Sequence, residues 1–172
     1  MNWEAIDAIS GALGALVVVI SLIYVGIQIR QNTKVARSAT RQAITELFID
    51  SNKDIVGDPD LAGAFIKDLN GQELNDVERL RVLSRAYLAL RNWENIHYQF
   101  RNGMLTQDEW QGFRLNLKAI FEWRTVRTVW DNEKQFFSME FQNEIDEILK
   151  DVPEPRIQSH GYAVTGEKKS QE

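Results

Sequence analysis

The sequence predicts an all-α chain: one N-terminal transmembrane helix continuing into a small cytoplasmic helical bundle. Three observations predict it. The stretch from Gly11 to Ile29 carries no charge at all. Apolar residues further along recur at helical spacing. No stretch after the apolar segment alternates apolar and polar residues with β-branched enrichment, and nothing repeats at a fixed period.

The first element is Ala8–Ile27, AISGALGALVVVISLIYVGI, twenty residues whose only polar side chains are two serines and a tyrosine. About twenty helical residues cross a hydrocarbon core of roughly 30 Å. A helix satisfies its own backbone there, and the hydroxyls of Ser10 and Ser21 can bond back to carbonyls in the preceding turn. A cleavable signal peptide would want a basic start, a shorter apolar region and a small-x-small cleavage site. This chain starts MNWEAID and leaves the apolar stretch through GIQIRQNTK. A core helix apolar on every side is hard to hide in a domain this small.

The flanks set an orientation. Glu4 and Asp7 precede the span without any Lys or Arg, whereas Arg30, Lys34, Arg37 and Arg41 follow it, and basic excess marks the cytoplasmic face. The expectation is an N-terminus outside, Trp3 in the outer interface, and a cytoplasmic C-terminal domain. The basic residues fall four, three and four apart, on one side of a helix continuing to about Ser51, opposite Ala36, Ala39, Ala43 and Leu47. At about 1.5 Å per residue, Arg41 stands roughly 16 Å above Arg30. Only the lower members, Arg30, Lys34 and Arg37, are then placed for contact with anionic headgroups, since screening sets in at about 8 Å. A solvated helix face with a positive-inside bias accounts for the same stripe.

Within the span, small residues gather in the outer half and bulky ones from Val17 to Ile23 in the inner half. Ala8, Gly11 and Ala15 share one helical face with Gly14 beside them, the pattern that lets helices approach closely in lipid. Pairing with a second copy or with another membrane protein is the expectation there.

The soluble part divides at local punctuation. Asp58-Pro59 opens a short helix through Lys67, and Asn70-Gly71 ends it. Asn75 with Glu78 is a capping-box pattern opening a long helix with apolar positions at Leu80, Leu83, Tyr87, Leu90, Trp93, Ile96 and Phe100, stopped by Asn102-Gly103. Thr106 with Glu109 repeats the start signal before Trp110, Phe113, Leu117, Ile120 and Phe121. Val126, Val129 and Trp130 follow after a break near Trp123. Ser138 caps a last helix carrying Phe141, Ile145, Ile148 and Leu149, which Pro153 and Pro155 end. The predicted organisation is therefore 1–30 outer tail and span, 31–151 helical domain, and 152–172 flexible polar tail.

Composition narrows function by exclusion. A net charge of −5 argues against a nucleic-acid partner, and the absence of Cys removes disulfides, thiolate catalysis and Cys-ligated metals.

The opening MNWEAIDAISGALGALVVVISLIYVGIQIRQNTK, with RAYLALRNWENIHYQFRNGML and a Trp-containing helix after it, resembles a widespread group of uncharacterised bacterial single-pass membrane proteins. The likeness extends from Met1 to about Leu149 and is most specific at the N-terminus. It implies an inner-membrane location and carries no activity, ligand or cofactor with it.

Glu94-Asn95-Ile96-His97 is an E-x-x-H on a helix, the pair that helical bundles use for di-iron sites. A ferritin-like centre wants two such pairs and two further carboxylates, and the only other histidine is His160 in the tail. The reading that remains for Glu94 and His97 is a buried polar network with Arg91, Arg124 or Arg127 as partner. Phosphate-binding loops, nucleophile elbows, zinc-protease helices and dinucleotide fingerprints are absent, so neither metal nor cofactor is expected and no catalytic residue is predicted. Trp93, Trp110, Trp123 and Trp130 read as core packing more readily than as an aromatic ligand cage. A channel is poorly supported, because only Ser10, Ser21 and Tyr24 offer polar groups to a lumen. Two function classes fit: a membrane-anchored interaction or assembly module, and a membrane-tethered enzyme or small-ligand sensor with its site around Tyr87, Glu94 and His97.

Overall fold

The computed structural model describes residues 3–152, the side chains of 5–10 and 12 excepted. Among the described residues the chain is all-α: α1 (Trp3–Gly57), α2 (Pro59–Leu69), α3 (Asp76–Arg101), α4 (Gln107–Ile120), α5 (Arg124–Glu133), a 3₁₀ turn (Lys134–Phe136) and α6 (Met139–Leu149). Internal contacts divide the chain into two units, one to Gln42 and one from Ala43 onward. Among the described side chains the first buried one is Ile44, two residues into the second unit.

In the first unit α1 presents its apolar side chains uncovered. From Leu13 to Ile29 the large apolar residues are 47–67% exposed, and the most apolar stretch has a mean hydropathy of 2.1 with none of it buried. Ser21 Oγ donates to the Val17 carbonyl at 2.8 Å, as a hydroxyl in an apolar helix is expected to do. Ser10, expected to do the same, lies outside the described side chains. One helix long and apolar enough to span a membrane is thus present near the N-terminus.

The second unit begins on the last turns of α1, which continue past Ser51 to Gly57. Its buried side differs from the predicted one: Ile44 is 4% exposed with Phe48 packed against the same core, whereas Ala43 is exposed. The basic stripe pointed to the alanines, but Ile44 and Phe48 remove far more apolar area from water, and burial follows area.

The remaining helices start and stop on local chemistry. Asp58 Oδ1 accepts from the backbone N–H groups of Asp60 and Leu61, both at 3.0 Å, with Pro59 at the first helical position. The reciprocal capping boxes of Asn75 with Glu78 and of Thr106 with Glu109 are both formed. Gly71 (φ 67°) and Gly103 (φ 72°) follow the ends of α2 and α3 in the left-handed conformation, with Gln72 N–H returning to Lys67 O and Met104 N–H to Gln99 O. The break between α4 and α5 falls at Trp123, which caps α5 without a side-chain hydrogen bond.

α3 is the central helix and touches α2, α4, α5 and α6. Its buried stripe is Val82, Ala86, Leu90, Trp93, Ile96 and His97. Leu80, placed on the apolar face from sequence, is 66% exposed. It sits two residues, roughly 200° of helix rotation, from Val82, and the packed side goes with Val82. Trp130 anchors the core at ring-centroid distances of 5.9 Å from Phe121, 5.3 Å from Phe137 and 5.9 Å from Phe141. Val152, assigned to the tail from sequence, is 8% exposed and belongs to this core, so the packed unit reaches one residue further than the predicted 151. Residues 153–172 of the predicted tail lie outside the described residues.

Candidate functional site

The basic stripe and the small-residue face lie on α1. Arg30, Lys34, Arg37 and Arg41 are all exposed, as are Gly11, Gly14 and Ala15; the Ala8 side chain is outside the described ones. A Cβ added at Gly11 or Gly14 would meet no atom within 4 Å. The face is therefore open for a second helix to approach.

Glu94 and His97 lie one turn apart on α3 but have different surroundings. Glu94 links α3 to the start of α6. Its Oε2 accepts from Arg91 Nη1 at 2.8 Å, and its Oε1 accepts from the Ser138 backbone N–H at 2.6 Å. Arg91 in turn donates from Nε and Nη2 to the Tyr87 hydroxyl at 3.0 and 2.7 Å, and its guanidinium lies 4.2 Å from the Phe137 ring centroid. Of the three arginines expected as partners for Glu94, Arg91 is the one that pairs with it.

This arrangement explains how α6 begins. The Ser138 side chain makes no cap bond to α6, and the third residue of that helix is Phe141, so no local carboxylate can return to the Ser138 N–H. In α3 and α4, Glu78 and Glu109 do that from within their own helices. In α6 the carboxylate comes from α3, forty-four residues earlier in the chain. Burial opposes the negative charge of Glu94, but the Ser138 N–H and Arg91 outweigh it and hold the carboxyl below the ordinary glutamate value.

His97 belongs to the aromatic core. The residue is 6% exposed, and its ring centroid lies 5.2 Å from that of Trp110 and 5.8 Å from that of Phe141. Desolvation lowers its pKa, with Arg101 acting in the same direction and Glu144, Glu140 and Glu94 against it. The predicted network of Glu94 with His97 thus resolves into two neighbouring features: a hydrogen-bonded carboxylate and a neutral imidazole packed among rings.

A polar pocket of about 390 Å³ opens beside them, lined by Glu94, His97, Tyr98, Arg101, Ser138 and Glu140. Arg101 pairs with Glu140, both lining it, at 3.3 Å, and between α4 and α6 Arg114 pairs with Glu144 at 2.7 Å. Among the described residues no group of three or more His, Cys, Asp or Glu side chains is placed to hold a metal ion. What this corner does is tie α3 to the start of α6. The i, i+3 spacing of Arg91 and Glu94 carried a signal for their pairing; Ser138 and Phe137 carried none, because their approach depends on the path through α4 and α5.

Comparison with family models, with curated proteins and with solved structures returns no match, so function is argued from this chain's own residues.

Proposed function

We propose that the protein is a single-pass membrane protein that holds a small helical domain at the cytoplasmic face of the bacterial inner membrane, where the domain serves as an interaction or assembly module. The observation that carries this reading is the uncovered apolar length of α1. Twelve large apolar residues from Leu13 to Ile29 are about half exposed or more, and no part of the most apolar stretch is buried. A core helix would bury such a surface. At ~25 cal/mol per Å² of apolar area, leaving it in water is a cost that lipid removes.

The finer assignments rest on charge and side-chain size. Basic residues on the C-terminal flank support an N-terminus outside and a cytoplasmic domain. Arg30, Lys34 and Arg37 are exposed where anionic headgroups would lie. Gly11, Gly14 and Ala15, open on α1, support pairing with a second copy or another membrane helix. The likeness of the N-terminal segment to single-pass bacterial membrane proteins agrees with this placement. A second reading, a tethered enzyme or ligand sensor, draws on the polar pocket beside His97.

The test is topological. A cysteine at Asn2 should react with an impermeant reagent from outside the cell, and a reporter fused after Glu172 should be active in the cytoplasm; reversed labelling overturns the orientation. Deletion of residues 1–30 should release the domain from membranes, and persistent attachment would mean that the domain itself binds lipid or a membrane partner. Bound stoichiometric metal in the purified native protein, lost in His97→Gln, would favour the enzyme or sensor reading.

A further inference from the structure

α1 is one helix from Trp3 to Gly57, and a seven-residue pattern runs along it. Eight charged residues lie from Arg30 to Val56. Written in heptads with Val35 at position a, they occupy b, c, e, f and g and leave only a and d without charge. Those two positions are the ones that meet a partner helix in a coiled coil. Position a carries Val35, Gln42, Ile49 and Val56, and position d carries Gln31, Ser38, Thr45 and Asn52. All eight are exposed, Val35 at 68%, Ile49 at 47% and Val56 at 82%. Thr45 follows the buried Ile44 by one residue, about 100° of helix rotation, so the stripe and the core contact occupy different sides of α1. A surface concavity of about 690 Å³ beside Ile49 and Val56 is lined by α1 residues alone.

The same register extends into the apolar span. Its three polar residues, Ser10, Ser21 and Tyr24, all fall at a or d, as does Gly14. In lipid, small and uncharged polar residues mark where one helix meets another.

The flanking positions select a second copy as the partner, in parallel. In a parallel pair, position g of one helix faces position e of the other, five residues further on. Arg41 then faces Glu46 of the second copy, Lys34 faces Ala39, and Phe48 faces Lys53, so each flank gains one opposite-charge pair and no like-charge pair. Valine and isoleucine at three of the four a positions favour two strands, and the polar Gln42 among them favours one register. Parallel is also the orientation that two copies inserted the same way in one membrane must have. We propose that α1 pairs with α1 of a second copy as a parallel two-stranded coiled coil from Gln31 to Val56, its seam continuing through Gly14 and Ser21. A seven-residue repeat drifts by about 20° per heptad on a straight helix, so the pair wraps left-handed to keep the seam closed. The pairing rests on the membrane-anchored assembly reading and names its partner. Polar d positions make the seam weak in free solution, and two spans in one membrane supply the effective concentration that closes it.

The experiment uses the full-length protein in vesicles of neutral lipid, where each introduced cysteine is the only one in a chain that has none. Under a mild oxidant, Val35→Cys, Ser38→Cys, Thr45→Cys and Asn52→Cys should link into dimers at least about tenfold faster than Ala36→Cys, Ala43→Cys and Asp50→Cys at position b, because a disulfide needs Cα atoms within about 7 Å. Energy transfer between copies labelled at Glu172→Cys, followed as lipid dilutes the protein, reads dimer affinity. Ile49→Glu, at an exposed position, should weaken the dimer at least about tenfold with the circular dichroism spectrum unchanged. Arg41→Glu and Glu46→Arg each set like charges across the flanks and should weaken it about 3–10-fold, and the double variant should restore it. The proposal is overturned by equal linking at every position, by linking confined to Ala36→Cys and Ala43→Cys, or by a double variant that stays weak. Linking at Gly11→Cys and Ala15→Cys with none from 31 to 56 also overturns it but leaves self-association through the span in place. A protein that is monomeric at every dilution overturns both, and flotation of the same vesicles reads anchoring separately.

Discussion

Removing the Glu94 carboxylate isolates the contribution of a helix cap supplied from another helix. Two hydrogen bonds end on it, from Ser138 N–H at 2.6 Å and from Arg91 at 2.8 Å, and the Glu94 side chain is 20% exposed. Each bond to a charged group contributes about 1.5–3 kcal/mol when well buried. Ser138 is exposed and the Arg91 side chain is 33% exposed, so water partly replaces the lost acceptor at both ends. Glu94→Ala should therefore cost about 2–3 kcal/mol, and Glu94→Gln, which can still accept from the Ser138 N–H, about 1–1.5 kcal/mol. Urea unfolding of the full-length protein in non-ionic detergent reads both, with near-UV circular dichroism as the probe, because Trp130 packs on Phe137 next to Ser138. Urea is uncharged and leaves the ion pair unscreened. The pH dependence supplies an internal check. The folded pKa of Glu94 is lowered, so its stabilisation is complete above the ordinary glutamate value of about 4.3 and is lost as pH falls through the folded value. The gap between wild type and Glu94→Gln should close in that acid window and nowhere above it. A Glu94→Ala protein within about 0.5 kcal/mol of wild type at pH 7 would refute the cap from α3, because two lost charged hydrogen bonds cannot disappear into that margin.

Other predictions use the same unfolding assay or a cross-linking readout. His97 is held neutral by burial, so its stabilisation is complete above the ordinary histidine value of about 6.5 and is lost as pH falls toward its lowered folded value; His97→Gln should flatten stability across that window, which lies above the Glu94 window. Gly103→Ala should cost about 1–2 kcal/mol for backbone conformation alone, since its φ is 72° and an added Cβ meets nothing within 4 Å. Gly112→Ala, inside α4 and equally open, should instead stabilise by about 0.5–1 kcal/mol, and a cost there would show that α4 is not a regular helix. Gly14→Leu should abolish cross-linked oligomers in bilayers while Val19→Leu should not, and a wild-type protein monomeric in bilayers would end the self-association reading.

The all-α class, the long apolar N-terminal helix and nearly every helix start were readable along the chain, because the interactions behind them act over three or four residues. Asn75 with Glu78, Thr106 with Glu109, Asp58 before Pro59, and the glycines after α2 and α3 each satisfy backbone groups within their own turn. Arg91, Arg124 and Arg127 were all candidate partners for Glu94, and the one that pairs with it, Arg91, lies one turn away on the same helix. What local pattern could not supply was the direction from which each helix is covered. Ile44 rather than Ala43 is buried, Val82 rather than Leu80, and His97 sits among rings rather than in the Glu94 network. The same limit hid the carboxylate that caps α6. Periodicity ranks the faces of a single helix, but burial is decided by which neighbour arrives and how much area the pair removes from water, and those neighbours come from distant parts of the chain.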